Sequence, residues 1–360
     1  MRLLMTIDAV GGVWRYGVDL ARELGAEGVA CLLAGCGPEP DTAQRKECQS
    51  LRNVTLQWTE LPLDWMVTKA SALHEVADTL AMMAQKWGAH MVHLNLPSQA
   101  AGFPAGLPVV AASHSCLATW WRAVKGGDPP PDWHWQQELT AQGMQRADAV
   151  IVPTASHCDA VVAVYGGSHH MHVVANATTL PESTSVKQPF VLAAGRWWDE
   201  GKNAVTADAV AALSRWPVRL AGALAGPNVS QISLNHAHAL GPLTPEVTRA
   251  EMDQAAIFFS PALYEPFGLA VLEAAARGCA LVLSDIPNFR ELWAGTALLV
   301  PPRDPRGFAT AINRLAENPL EREALGQRAA TRAREFTLAR QAEQVRQVYA
   351  AALGAEALAA

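Results

Sequence analysis

Short apolar, β-branched runs alternate with longer amphipathic stretches along most of this chain, and that alternation narrows the fold more than any other feature. LLMTI from Leu3, VACLLA from Val29, VTLQW from Val54, MVHLN from Met91, PVVAA from Pro108 and AVIVP from Ala149 read as strands. Between them stand helical candidates such as WRYGVDLAREL from Trp14 and SALHEVADTLAMMAQKW, Ser71 to Trp87. Apolar strands joined by helices predict a parallel sheet covered on both faces. The pattern restarts after Asn176 with FVLAAG from Phe190, VRLAGA from Val218, AIFFSP from Ala256, ALVLS from Ala280 and ALLVP from Ala297. Its helices are NAVTADAVAALSRW from Asn203, the stretch up to Gly278, and FATAINRLAE from Phe308. The expected fold class is therefore α/β, two doubly wound parallel sheets in series, with ligands bound beyond the carboxyl ends of the strands.

The expected boundaries are a first domain over residues 1–176, a second over 177–336, and a terminal segment over 337–360. ATTLPESTSVKQP, Ala177 to Pro189, is rich in Ser, Thr and Pro and reads as a connector. The tail from Pro319 to Leu353 is helical in composition. The chain of 360 residues, half hydrophobic and 17% charged, has material for two cores. A net charge of −6 gives no sign of nucleic-acid binding. The six cysteines show no C-x-x-C and no zinc spacing, as buried reduced thiols would. The start, MRLLMTIDAVGG, is broken by Asp8 and lacks a signal-peptide core, and no run reaches the ~20 apolar residues of a membrane span. The expected location is cytoplasmic, with peripheral contact at the inner membrane face left open.

YEPFGLAVLEAAARG, Tyr264 to Gly278, carries two carboxylates, Glu265 and Glu273. Pro266 near its start and Gly278 at its end match the asymmetry of helix termini. If the whole segment were helical, the glutamates would stand ~12 Å apart at 1.5 Å per residue, too far to act on one scissile bond as the ~5 to 9.5 Å carboxylate pairs of glycosidases do. Free amides at Phe267, Gly268 and Leu269 would attract phosphate, with Gly268 permitting close approach. In FVLAAGRWWDEGKN, Arg196 and Lys202 follow the strand and supply cations to the same edge. One long ligand with hydroxyls at both ends and a diphosphate between them, a nucleotide-diphosphate sugar, fits these residues. No Asp-x-Asp is present to carry a metal, and fixed cations with helix amides suit a metal-free leaving group.

These residues resemble the nucleotide-binding domain of family 4 glycosyltransferases, retaining enzymes of GT-B fold. The family's Gly-Arg, Lys and Glu-x7-Glu match Gly195-Arg196, Lys202 and Glu265 to Glu273, and the likeness continues through Gly241 to Leu243, SDIPNFREL and LVPPRD. The resemblance implies two Rossmann-like domains facing across a cleft and a terminal helix that crosses back to the first. It implies that Glu265 contacts the transferred sugar, Glu273 the ribose, Arg196 and Lys202 the diphosphate, and the backbone near Leu243 the base. Gly11 and Gly12 match the family's glycine loop, and His114, after PVVAAS, its histidine near the reacting sugar. Ala177 replaces a glycine common in the family, so the turn there is expected to differ.

Trp120, Trp121 and Arg122 stand beside a Gly-Pro-rich loop and are acceptor-side candidates, with packing of the loop an equal alternative. His169, His170, His172, His236 and His238 lack supporting ligands, so no metal is assigned. Serine-hydrolase, P-loop and dinucleotide fingerprints are absent. The expected activity moves a sugar from a nucleotide-diphosphate donor, the co-substrate, to a hydroxyl acceptor such as a glycan or lipid-linked sugar, without a cofactor. An epimerase or hydrolase of the same fold, or a non-catalytic sugar-nucleotide binder, are the alternatives.

Overall fold

The computed structural model describes residues 1–167, 170–180, 185–226 and 231–354; His169, part of the connector and residues 355–360 lie outside the described residues. The chain divides into two compact units, Met1–Asn176 with Leu338–Ala360, and Ala177–Thr337.

The first unit is built on β1 (Arg2–Asp8), β2 (Ala30–Cys36), β3 (Val54–Trp58), β4 (Met91–Leu94), β5 (Val109–Ala112), β6 (Ala149–Val152) and β7 (Met171–Val173). They form one parallel sheet in the order β3-β2-β1-β4-β5-β6-β7. Successive residues of a strand point to opposite faces. Leu3, Met5 and Ile7 accordingly meet Leu20 and Leu24 of the helix Gly12–Ala26, and Val345 and Tyr349 of the helix Leu338–Leu353. Leu4 joins Leu32, Leu80 and Val92 on the other face. Both faces of β1, β2, β4, β5 and β6 are covered, which is why those strands are mostly apolar, whereas the edge strand β3 alternates half-buried and exposed residues. Ala342, Val345, Val348 and Tyr349 form a stripe at helical spacing, and at about 1.5–3 kcal/mol per large side chain that stripe holds the last helix in the first unit.

The second unit has β8 (Gln188–Ala194), β9 (Val218–Ala221), β10 (His238–Gly241), β11 (Ala255–Ser260), β12 (Ala280–Ser284) and β13 (Ala297–Val300) in the order β10-β9-β8-β11-β12-β13, again all parallel. Val191, Ile257, Val282 and Phe308 share its core. In each sheet the strand order reverses at one place, between β1 and β4 and between β8 and β11, and such a reversal opens a crevice at the carboxyl edge.

Several sequence expectations need correction. β7 and β10 went unrecognised because edge strands need only one neighbour: MHV and HALG are half-exposed or exposed and lack the apolar signature. The segment Ser71 to Trp87 is not one helix; a 3-10 turn over Ala70–Leu73 precedes the α-helix Val76–Trp87. NAVTADAVAALSRW is helical only over Ala204–Ala211. The tail is two helices, Pro319–Ala333 and Leu338–Leu353. Among the described residues no helix is long and apolar enough to cross a membrane. Ala177 does not adopt a positive φ; among the described non-glycine residues only Asn203 does, at 61°.

Candidate functional site

The carboxyl edge of the second sheet gathers most of the residues singled out from the sequence. After β8 the chain turns at Gly195, which lies beside the Lys202 stem: a Cβ there would stand 3.5 Å from it, in ordinary contact. Gly222, at φ 119°, closes the same turn from β9, and a Cβ on it would stand 1.9 Å from the Gly195 carbonyl oxygen. Asp199 accepts from the Gly201 N–H at 2.8 Å and starts a short 3-10 turn that ends at Lys202. The Gly201 carbonyl accepts from the Leu263 N–H at 2.8 Å, joining this turn to the loop after β11. Asn203, in the left-handed region, donates its amide to the Pro261 and Pro302 carbonyls at 2.9 and 2.8 Å. These braces bring Lys202 Nζ to 2.5 Å from Glu265 Oε2, an ion pair with 19% and 18% of the side chains exposed.

Glu265 also packs against the start of the next helix, since a Cβ on Gly268 would lie 3.3 Å from its Cγ. The helix spans Leu269–Ala276 only, which corrects the expectation that Pro266 opens it: Gly268 sits at φ 94°, ψ 63°, conformations that glycine tolerates and that end a helix on that side. The Asn288 amide donates to the Pro266 carbonyl at 3.0 Å and steadies the turn. No side chain caps this helix start, so its first N–H groups point out from Gly268 and Leu269. The Phe267 ring is buried against Phe336, at 5.8 Å between centroids, so only its backbone can serve a ligand. Glu273 is half-buried further along the helix, and its carbonyl accepts from Arg277. Leu243 is half-buried just past Gly241, which turns the chain at φ 69°. Arg196 is exposed, its guanidinium 5.6 Å from the Trp198 ring centroid.

In the first unit, Gly11 (φ 97°) and Gly12 are exposed at the amino end of the helix Gly12–Ala26, which also has no side-chain cap. The Asp8 carboxylate accepts from the Val10 N–H at 2.8 Å and shapes that loop. His114 follows β5, half-buried, with the Tyr16 ring edge-on at 4.5 Å and Nε2 at 2.8 Å from Asn95 Oδ1. Burial, and to a lesser extent the neighbouring His157, hold its pKa down at about 4. His93, wholly buried in β4, is pushed down to about 3 by burial first and by His114 second. Its Nδ1 lies 2.6 Å from the Tyr349 hydroxyl. Trp120 and Trp121 sit together on the helix Leu117–Val124, with centroids 6.0 Å apart. Arg122 is engaged by Asp128 and by the Ala163 carbonyl, at 2.9 and 3.0 Å, so it braces the Gly-Pro-rich loop.

Sequence reasoning missed Asn95, Tyr16 and the braces Asp199 and Asn203. A signal for the first was present: His93 and Asn95 are polar residues at alternate positions of MVHLN, where a doubly covered strand should be apolar. Among the described residues no three His, Cys, Asp or Glu side chains form a set that could hold a metal ion.

Comparison with known proteins agrees with this architecture. Residues 10–180 match the profile of Glycosyltransferase Family 4, and residues 188–318 that of Glycosyl transferases group 1. A D-inositol 3-phosphate glycosyltransferase of Kineococcus radiotolerans is 35% identical over 121 residues, which are 30% of this chain and 28% of that protein. The chain spans about a third or less of the length of the curated relatives it matches. The structure of sucrose-phosphate synthase from Thermosynechococcus elongatus superposes with a TM-score of 0.77 at 18% identity, covering 97% of this chain and 98% of that one. Anabaena Alr3699/HepE, solved in complex with UDP-glucose, gives 0.73 at 18% identity over 97% and 99%. Two parallel sheets with the edge loops described above, and a glycosyltransferase family model over each half of the chain, place it among the family 4-type glycosyltransferases with the GT-B fold.

Proposed function

We propose that the chain transfers a sugar, with retention of anomeric configuration, from a nucleotide-diphosphate donor to a hydroxyl acceptor in glycan or glycoconjugate synthesis, and that it needs neither metal nor cofactor. The observation that carries this is the contiguous set of Lys202, Glu265 and the uncapped helix start at Gly268, placed where the strand order of the second sheet reverses. The breaking sugar–phosphate bond leaves negative charge on the diphosphate. A fixed ammonium and aligned N–H groups stabilise that charge more in the transition state than in the ground state. Arg196, free of carboxylate partners among the described residues, folds in as a second cation. Glu265 meets the sugar hydroxyls and the positive charge developing at the anomeric carbon, Glu273 the ribose, and Leu243 the base. The acceptor oxygen attacks on the face from which the diphosphate departs and delivers its proton to that leaving group, so configuration is kept.

Gly11 and Gly12 belong in this reading to the phosphate contacts, His114 to the sugar, and Trp120, Trp121 and Arg122 to the acceptor side. The UDP-glucose complex of Anabaena HepE supports a nucleotide sugar as the donor class. The test is a calorimetric and thermal-shift screen of UDP, GDP, ADP and their sugar conjugates with EDTA present. At least one is expected to bind and stabilise the protein. Silence from every nucleotide refutes the donor site, and strict dependence on a divalent ion refutes the metal-free part.

A further inference from the structure

The carboxyl edge of the first sheet holds a chain of hydrogen bonds whose directions can be worked out atom by atom. The Asn95 amide nitrogen donates to the Thr6 carbonyl at 2.6 Å, and the Asn95 backbone N–H donates to Thr6 Oγ1 at 2.8 Å. Thr6 Oγ1 gives its own proton to Gln99 Oε1 at 2.7 Å. A carbonyl only accepts, so the amide nitrogen of Asn95 must face Thr6 and its oxygen must face the other way. That oxygen lies 2.8 Å from His114 Nε2. Two acceptors cannot share a hydrogen bond, so Nε2 carries the ring proton. Turning the amide over would set oxygen against oxygen at a residue only 3% exposed, where a lost hydrogen bond is not replaced by water.

The surroundings give the ring no reason to take a second proton. The titratable groups about it are Tyr16 from the first helix, His93 from β4, His157 from the helix Ala155–Tyr165 and, behind His93, Tyr349 from the last helix. None of them is a carboxylate, and burial raises both tyrosines above their ordinary range. His114 Nδ1 makes no hydrogen bond among the described residues.

We infer that Asn95 is a positioning residue: its amide, locked by Thr6, fixes His114 as the neutral Nε2–H tautomer and leaves Nδ1 open to accept a hydrogen bond from a sugar hydroxyl. The sugar hydroxyl rests on the transferase reading above, whereas the tautomer rests on the hydrogen-bond directions alone. His114 thus accepts a hydrogen bond from the hydroxyl through Nδ1 and has no proton to give to a leaving group from that nitrogen.

The two parts are separable by experiment on the full chain. Imidazole nitrogen NMR of protein labelled in histidine, with the His114 signal assigned by its loss in His114→Gln, should show the Nε2–H tautomer at pH 7. Asn95→Leu should mix the tautomers and lower kcat about 10- to 100-fold, with KM nearly unchanged, since misplacing a contact group costs about that much. Thr6→Val, a gentler change, should do the same to a smaller degree. An Nδ1–H tautomer or an imidazolium in the wild type overturns the inference, as does an Asn95→Leu protein that keeps both tautomer and turnover. A wild type that shows Nε2–H but turns over no sugar nucleotide removes the transferase reading and upholds the tautomer.

Discussion

Lys202 and Glu265 hold each other, so a nucleoside diphosphate must compete with Glu265 for the ammonium. With both side chains about four-fifths buried, the pair is a charge-assisted hydrogen bond of the stronger kind, worth a net ~1.5–3 kcal/mol. The gross Coulomb attraction is larger, but desolvation offsets much of it. Glu265→Gln removes the negative charge and keeps the shape. The prediction is that this variant binds free nucleoside diphosphate more tightly than the wild type, by roughly 10- to 100-fold if the whole of that energy is released, since ~1.4 kcal/mol is a factor of ten. The same variant should lose turnover, because Glu265 is also the proposed sugar contact. Isothermal titration of UDP, GDP and ADP at two salt concentrations provides the check, and the gain should shrink as salt screens the charges. Unchanged or weaker binding of every nucleoside diphosphate to Glu265→Gln, with the fold intact, would refute the competition.

Three further outcomes follow from the packing. Gly222→Ala puts a Cβ into the Gly195 carbonyl at a positive φ and should cost about 2 to 4 kcal/mol, read as a lowered urea midpoint. His93 and His157 are buried neutral with pKa values near 3 and 4, so below the unfolded value of ~6.5 the unfolded chain binds protons that the folded one refuses. Stability should therefore fall with pH from about 6.5 toward 4, by ~1.4 kcal/mol per pH unit for each histidine, and His157→Gln should flatten that slope in a melting-temperature series. Burial pushes the Asp208 carboxyl up, but N–H groups of Ala237, His236 and Asn235 together hold it below the usual range. That stabilisation is present above the unfolded pKa of ~3.9 and disappears as pH falls through the folded one. At neutral pH Asp208→Ala should cost about 3 kcal/mol by denaturant titration, since it strands those donors.

The parallel sheets were legible because a strand covered on both faces must be apolar along its whole length, and Leu3, Leu4 and Met5 or Val191, Leu192 and Ala193 have no polar alternative. β7 and β10 were not, because an edge strand half in water carries no such demand. Among the candidate residues, Lys202, Glu265 and Gly268 could be placed on one edge from motif order alone. That Lys202 and Glu265 touch could not, since it depends on Asp199, Gly201 and Asn203 tying two loops together far apart in sequence. Helix extent was misjudged at Gly268 for a local reason: proline at the start of a helical pattern suggests a first turn, but a glycine at φ 94° two residues later delays it. Phe267 was expected to offer its backbone amide, and its side chain joins the core beside Phe336.

Transfer itself is the most direct question to put to the protein. Wild-type chain would be incubated in EDTA with each α-configured nucleotide sugar and a panel of simple hydroxyl acceptors, while proton and phosphorus NMR follow the anomeric centre and the diphosphate together. An α-linked product, formed one-for-one with free nucleoside diphosphate and lost in Lys202→Met, is the predicted result. A β-linked product would contradict retention, and unaltered donor across the whole panel, with and without acceptor, would contradict the assignment of this edge as a sugar-nucleotide site.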